Sequence, residues 1–221
     1  MRQNVSLAEI SDGHLYKAND MVKADCGGCE GCSQCCRGMG SSIILDPYDV
    51  YRLTTGIGKS MQELLATSVE LNVVDGVILP NLKMQGTEEA CAYLDEEGRC
   101  SIHPYRPGIC RLFPLGRYYE NGGFSYFLQT GECAKENRSK IKVSKWIDTP
   151  DLTRNQQFTL QWHDLLHAME ERLTGEDEGK QREENLLLLR LFYLLPYEGT
   201  IDFYTQFTER MEHWNGQNGQ I

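Results

Sequence analysis

Apolar positions follow a helical period in the C-terminal third of the chain. Over residues 158–173 they recur at steps of three and four, which predicts one buried face of an amphipathic helix. A leucine-rich segment predicts a second helix over 183–195, and a third is predicted over 200–214. We therefore expect a helical region from residue 147 to the C-terminus, packed on the preceding part of the chain.

Shorter elements are predicted in the first two thirds. Asp46-Pro47 fits an N-cap followed by proline at the first helical position, and Ser60 with Glu63 fits a capping box. Alternating apolar residues around Asp-Gly and Asn-Gly turns predict hairpins over 72–79 and 117–127. The fold class predicted is α+β, with a small metal-organised, cysteine-rich core of short strands and helices followed by the C-terminal helical region.

The predicted organisation has three segments. Residues 1–25 are a weakly patterned lead segment, residues 26–146 are the cysteine-cluster core, and residues 147–221 are the helical region. All nine cysteines of the 221 residues fall in the middle segment. A dense thiol cluster in a reducing compartment points to a metal rather than to disulfides.

Charge and hydropathy exclude several classes of partner. A formal net charge of −10 would repel phosphate backbones, so no nucleic-acid partner is expected. The longest apolar stretch, Leu186–Leu195, is interrupted by Arg190 and is too short to span a bilayer, and no secretory signal is visible. The chain is expected to be cytoplasmic. The acidic helical region offers a possible surface for a protein partner.

The first cysteine block has metal-ligand spacing. Cysteines occur at every third residue and then once more in direct succession, at Cys26, Cys29, Cys32, Cys35 and Cys36. Such spacing occurs in zinc knuckles and in iron–sulfur loops, and three successive repeats favour the iron–sulfur loop. Adjacent side chains of an extended segment point in opposite directions. Cys35 and Cys36 therefore require a tight turn to bind one metal, or one of them is a buried small hydrophobe.

The second cysteine block is closed only by folding. Its widely spaced members are Cys91, Cys100, Cys110 and Cys133. Glu97-Gly98 predicts a hairpin turn with Cys91 and Cys100 at its two bases.

Other polar residues are weaker candidates. His103 lies inside the second block and is either a ligand or a turn histidine. Arg106 and Arg111 either neutralise thiolates or form surface ion pairs with Asp95, Glu96 or Glu97. His163 and His167 stand one helical turn apart, which gives either a two-histidine metal face or two exposed histidines.

These blocks together resemble the CxxCxxCC cysteine-cluster family, the YkgJ-like proteins. The signature falls on Cys29, Cys32, Cys35 and Cys36. The second block falls on Cys91, Cys100, His103, Arg106, Pro107, Cys110, Arg111, Phe113 and Pro114, and a last cysteine falls on Cys133. The resemblance implies a metal centre. The chain is also similar, more distantly, to the flagellin lysine N-methylases, and this resemblance implies an iron–sulfur cluster.

The sequence therefore predicts that thiolates of both blocks bind one or two metal centres. The predicted ligands are Cys29, Cys32, Cys35, Cys36, Cys91, Cys100, Cys110 and Cys133, with Cys26 left open. A [4Fe-4S] cluster is the first choice of cofactor and zinc the second. Three uses stay open: a structural, storage or delivery role, an iron–sulfur-dependent group-transfer enzyme, and an electron-transfer or redox-sensing module.

Overall fold

A computed structural model of the chain describes residues 6–27, 32–135 and 137–218. Helices and short antiparallel strands are mixed in the first two thirds, and three helices follow, which confirms the predicted α+β class. The helices are α1 (Leu7–Ile10), α2 (Pro47–Ile57), α3 (Met61–Thr67), α4 (Gly108–Leu112), α5 (Val143–Ile147), α6 (Leu152–Leu173), α7 (Glu178–Leu189) and α8 (Phe203–Asn218).

In the described residues, the strands form four small antiparallel sheets. Their bounds are β1 (Ser11–Tyr16), β2 (Met21–Asp25), β3 (Val69–Val74), β4 (Val77–Leu82), β5 (Met84–Gln85), β6 (Ala90–Cys91), β7 (Leu115–Glu120), β8 (Gly123–Gln129) and β9 (Ser139–Lys142). One sheet has the strand order β1-β8-β7, and the others pair β2 with β9, β3 with β4, and β5 with β6. The hairpins β3–β4 and β7–β8 lie where the sequence predicts them.

Local capping explains where α2 and α3 begin. The Asp46 side chain accepts a hydrogen bond from the Asp49 backbone N–H at 2.8 Å, and the Asp49 carboxylate accepts one from the Asp46 N–H at 3.2 Å. Ser60 and Glu63 make the same reciprocal pair at the start of α3. Both capping boxes satisfy backbone donors that a helix start leaves without partners.

The C-terminal helices differ from their predicted bounds. The leucine-rich helix begins at Glu178, because the Asp177 carboxylate accepts hydrogen bonds from the backbone N–H groups of Gly179 and Lys180. Its α-helical part ends at Leu189, and residues 190–194 form a π-helical turn. Apolar periodicity located the buried face, whereas the side-chain caps Asp151 and Asp177 fix where α6 and α7 begin.

Two hydrophobic clusters form the interior. The larger cluster joins α2, α3 and the hairpin β3–β4 to α6, the π-helical turn and α8, with Phe158, Phe192 and Phe207 among its fully buried members. The smaller cluster joins β2, β8 and α5 through Val22, Tyr126 and Trp146. Cys91, Cys100 and Cys110 pack against the larger cluster, and Cys26 packs against the smaller one.

The lead segment contributes strands to the sheets. Strand β1 pairs with β8 and strand β2 pairs with β9, with a register irregularity in each pair. Those irregularities interrupt the alternation that would mark a strand in the sequence. The predicted boundaries near residues 25 and 146 stay a prediction.

Candidate metal centre

A tight turn carries the doubled cysteine. Residues Gln34–Cys36 form a 3-10 helical turn, closed by a hydrogen bond from the Cys36 backbone N–H to the Ser33 carbonyl at 2.9 Å. Because this turn replaces an extended backbone, the Cys35 and Cys36 side chains lie within hydrogen-bonding contact of each other. The turn therefore removes the opposite orientation that adjacent side chains have in an extended segment, and both thiols can contribute to one site.

The second block reaches the same region through three different elements. Cys91 ends the short strand β6, where it pairs with Met84. Cys100 bridges to Leu94 rather than to Cys91, so the prediction that Cys91 and Cys100 form the two bases of one hairpin is wrong. The Asp95 carboxylate closes the turn early, since it accepts hydrogen bonds from the N–H groups of residues 97 and 99.

Asp49 anchors the helix that carries Cys110. One oxygen of the buried Asp49 carboxylate accepts a 2.7 Å hydrogen bond from the backbone N–H of Gly108, the first residue of α4. The guanidinium of Arg111, also buried, interacts with the same carboxylate and donates to the Thr149 hydroxyl. Sequence reasoning identified Asp46 as an N-cap but missed this role of Asp49.

Four thiols from both blocks lie close enough to influence one another. Burial raises the pKa of the Cys110 thiol, the charge of Asp49 raises it further, and the nearby Cys91, Cys35 and Cys100 add smaller increases. Burial also raises the pKa of Cys91 and of Cys100, and Cys35 adds to both. Contact with Cys36 and burial raise the pKa of Cys35 well above its ordinary range. The fold thus gathers Cys35, Cys91, Cys100 and Cys110 into one group, which we call the main thiol group.

Arg106 supplies positive charge to the main thiol group. Its charge acts to lower the pKa of Cys35 and of Cys100, against the larger raising effects of contact and burial. This places Arg106 near the thiols, as one of the two sequence alternatives predicts. Arg111 instead faces Asp49, and its guanidinium lies 5.8 Å from the centroid of the Tyr48 ring.

His103 lies at the edge of this region. It begins a 3-10 helical turn over His103–Tyr105, and its side chain is exposed. Partial desolvation and the charges of Arg106 and Arg99 lower the pKa of its imidazole. A role of His103 as a ligand stays a prediction.

Three further described cysteines surround a separate small cavity. Cys26, Cys32 and Cys133 line a cavity of about 20 Å³, together with Cys35, and its apolar walls include Phe113 and Trp146. The Trp146 indole N–H donates to the backbone carbonyls of residues 112 and 113, which fixes the ring in place. Each of these cysteines is half-buried.

The donor set fits a thiophilic metal, although the ligand sphere is not closed. Within residues 6–27, 32–135 and 137–218, no three histidine, cysteine or acidic side chains already have a geometry that could hold a metal ion. Thiol groups are the ligands that zinc and iron–sulfur clusters select. Side chains of the main thiol group must therefore turn toward a shared ion to complete a centre. Cys29 lies outside the described residues.

The histidine pair on α6 lies apart from these cysteines. The rings of His163 and His167 are 6.3 Å apart between centroids, and both side chains are half-buried. The His163 ring stacks on Tyr119 with 3.8 Å between centroids. These contacts account for the pair as surface histidines, one of which covers an aromatic ring.

The structure shows an α+β protein whose cysteine-rich part gathers thiols from both cysteine blocks. Residues 28–134 match the family model CxxCxxCC, described as a "Putative zinc- or iron-chelating domain", and this part of the chain belongs to that family. No curated protein and no solved structure matches the chain. In the described part of the chain, no helix has both the length and the apolar character needed to cross a membrane.

Proposed function

We propose that this protein binds a metal centre through thiolates from both cysteine blocks. One observation carries the proposal: Cys35 of the first block lies near Cys91, Cys100 and Cys110 of the second, so that their charges interact. Burial and mutual proximity keep these four thiols neutral and oppose the formation of thiolates. A bound cation offsets both costs.

A [4Fe-4S] cluster is the proposed occupant of this centre, with zinc as the second choice. Four cysteine thiolates suit either, because both zinc and a cubane cluster accept four sulfur ligands. The successive two-residue spacings of the first block favour the cluster. The proposed ligand pool is the predicted set: Cys29, Cys32, Cys35, Cys36, Cys91, Cys100, Cys110 and Cys133.

The surrounding residues prepare the main thiol group for a cation. Burial keeps its thiols protonated until a metal replaces the protons. Arg106 offsets part of the negative charge that four thiolates bring to the site. Asp49 holds the start of α4 and thereby positions Cys110. When bound, the centre supplies folding free energy to this cysteine-rich region.

Anaerobic isolation of the full chain tests the proposal. We expect a brown protein with a broad visible absorption band and with iron matched by acid-labile sulfide. A colourless protein with stoichiometric zinc and no sulfide would exclude the cluster and leave zinc as the occupant. A protein that holds neither metal after reconstitution with iron and sulfide, or with zinc, would refute the proposal.

A pair of neighbouring substitutions tests the ligand assignment. Cys110→Ser removes a thiol of the main thiol group, whereas Ile109→Ser introduces the same residue at an exposed position of the same helix. Cys110→Ser should lose bound metal and melt at a lower temperature, and Ile109→Ser should keep its metal. Equal metal content in the two variants would contradict the role of Cys110.

A further inference from the structure

A larger cavity, of about 370 Å³, lies between helix α2 and the π-helical turn. One of its walls is formed by α2 and the connection from α2 to α3. The other wall is formed by the π-helical turn and the segment 195–199 that follows it. Small-molecule sites commonly have volumes of about 300–1,000 Å³. No described cysteine lines this cavity, so it is separate from the proposed metal centre.

Helix α8 holds the irregular wall of this cavity in place. The Arg210 guanidinium donates hydrogen bonds to the carbonyls of Leu195 and Pro196 at 3.0 and 2.8 Å. The Gln206 side chain donates to two further carbonyls of the same connection, both at 3.0 Å, and both side chains are buried. The π-helical turn is itself closed by a 2.9 Å bond from the Leu195 N–H to the Arg190 carbonyl, and such turns occur often at functional sites. The wall is therefore formed before a ligand binds, which removes an ordering cost.

The floor of the cavity is apolar. It is lined by the buried side chains of Val50, Met61 and Tyr193. The hydroxyls of Tyr193 and Tyr197 each donate to a backbone carbonyl, at 3.1 and 3.0 Å, so both tyrosines offer their rings rather than a hydroxyl proton. Leu195 adds an exposed apolar side chain at the mouth. An aliphatic chain would leave water on entering this cavity, which favours its binding.

The rim of the cavity carries one cation. Among the described residues that line it, Lys59 alone is charged. The carboxylate of Glu63 is held by the N–H and the hydroxyl of Ser60, both at 2.8 Å, and does not form an ion pair with Lys59. The hydroxyls of Thr54 and Thr55 donate within α2. The Lys59 ammonium is therefore the strong hydrogen-bond donor that this rim offers to a ligand.

We propose that this cavity binds a small amphipathic monocarboxylate, with its aliphatic part on the apolar floor and its carboxylate at the Lys59 ammonium. The net charge of −10 disfavours polyanions such as phosphates, and one lysine ammonium is a point charge that matches a single carboxylate. A cationic ligand would be repelled at the rim, and a neutral ligand would leave the ammonium without a partner. This inference goes beyond the proposed function and does not depend on it.

Three probes of equal chain length test the class of ligand. Octanoate, octylamine and octanol carry negative, positive and no charge, and ligand-observed NMR titration of the full chain gives the affinity of each below its micellar concentration. We expect saturable binding of octanoate. Octanol and octylamine should bind roughly fivefold more weakly or worse, which is about the most that one exposed ion pair contributes. Absence of saturable octanoate binding, or equal affinity for octanoate and either other probe, would overturn the proposal.

Two matched pairs of variants locate the site. Leu195→Ser removes an apolar side chain at the mouth, where Leu195 is 49% exposed, and Leu186→Ser makes the same change on α7, where Leu186 is 55% exposed. Lys59→Gln removes the cation of the rim, and Lys145→Gln removes an exposed cation of α5. We expect Leu195→Ser to weaken octanoate binding and Lys59→Gln to abolish the preference for octanoate over octanol. The two control variants should bind as the parent does. If Leu195→Ser and Lys59→Gln also bind as the parent does, octanoate occupies another place and the proposal is wrong.

Metal and sulfide analysis of the same samples keeps the two proposals apart. Saturable octanoate binding to a chain that takes up no metal would support the cavity and refute the proposed function. A metal-loaded chain without such binding would refute the cavity alone.

Discussion

Removal of the Asp49 carboxylate should destabilise the protein far more than its place in a capping box would suggest. Asp49 is 2% exposed, and its partner Arg111 is 5% exposed. In Asp49→Ala, the guanidinium loses its carboxylate partner, and the Gly108 N–H loses its 2.7 Å hydrogen bond. Leaving a buried donor without its charged acceptor costs about 1–3 kcal/mol, and loss of the negative charge near Arg111 adds to this cost. Loss of this free energy would be a large fraction of the ~5–15 kcal/mol that stabilises a typical domain.

The matched control is Glu63→Ala. Glu63 occupies the same third position of a capping box at the start of α3, but its carboxylate is exposed and bonds only to Ser60. Loss of an exposed cap costs about 1 kcal/mol. Urea unfolding followed by tryptophan emission, at a fixed metal content, gives both free energies. If Asp49→Ala costs no more than Glu63→Ala, the buried carboxylate does not anchor α4 as described.

Three further predictions concern pH, helix packing and metal loading. Burial and the neighbouring Asp49 raise the pKa of Asp46 from 3.8 to about 7, so the folded state holds this proton more tightly than the unfolded chain does. The parent therefore loses this contribution to stability as the pH rises from 4 through 7. Paired urea titrations over that range should show the stability of Asp46→Asn increasing relative to that of the parent. Arg210 donates hydrogen bonds to the carbonyls of Leu191, Leu195 and Pro196, so Arg210→Ala should lower the free energy of unfolding by about 3 kcal/mol. Arg210→Lys should restore only part of this free energy, and full restoration would contradict the role of the guanidinium fork. Because burial raises the pKa of the main thiols, metal binding at pH 7 should release close to one proton per cysteine ligand into a weakly buffered indicator solution, and release of none would contradict thiol coordination.

Local signals made much of the fold predictable. The capping boxes at residues 46–49 and 60–63 and the hairpin turns at 75–76 and 121–122 involve residues close together in sequence. A chemical reason for each element is therefore visible without tertiary context. Helix ends in the C-terminal region were predicted less accurately, because the Asp177 cap lies six residues before Glu183, where the leucine-rich helix was predicted to begin.

Long-range pairing made the rest of the fold and site unpredictable. Strands β1 and β2 are recognisable only through their partners β8 and β9, more than a hundred residues away. The same holds for the division of the cysteines, since spacing alone gives no reason to separate Cys26 from Cys110. In the structure, Cys26 packs against the smaller hydrophobic cluster and Cys110 packs against the larger one.

The helical region supports the main thiol group through α2. The Tyr193 hydroxyl, in the π-helical turn, donates to the Leu45 carbonyl at 3.1 Å, immediately before the cap of α2. Phe203 and Tyr204 of α8 pack their rings on Tyr48 of α2. Helix α2 in turn holds α4, and with it Cys110, through the Asp49 carboxylate. The C-terminal helices therefore reach the proposed metal centre by one continuous chain of buried contacts. Weakening those helices should loosen the cysteines without any substitution among the thiols themselves.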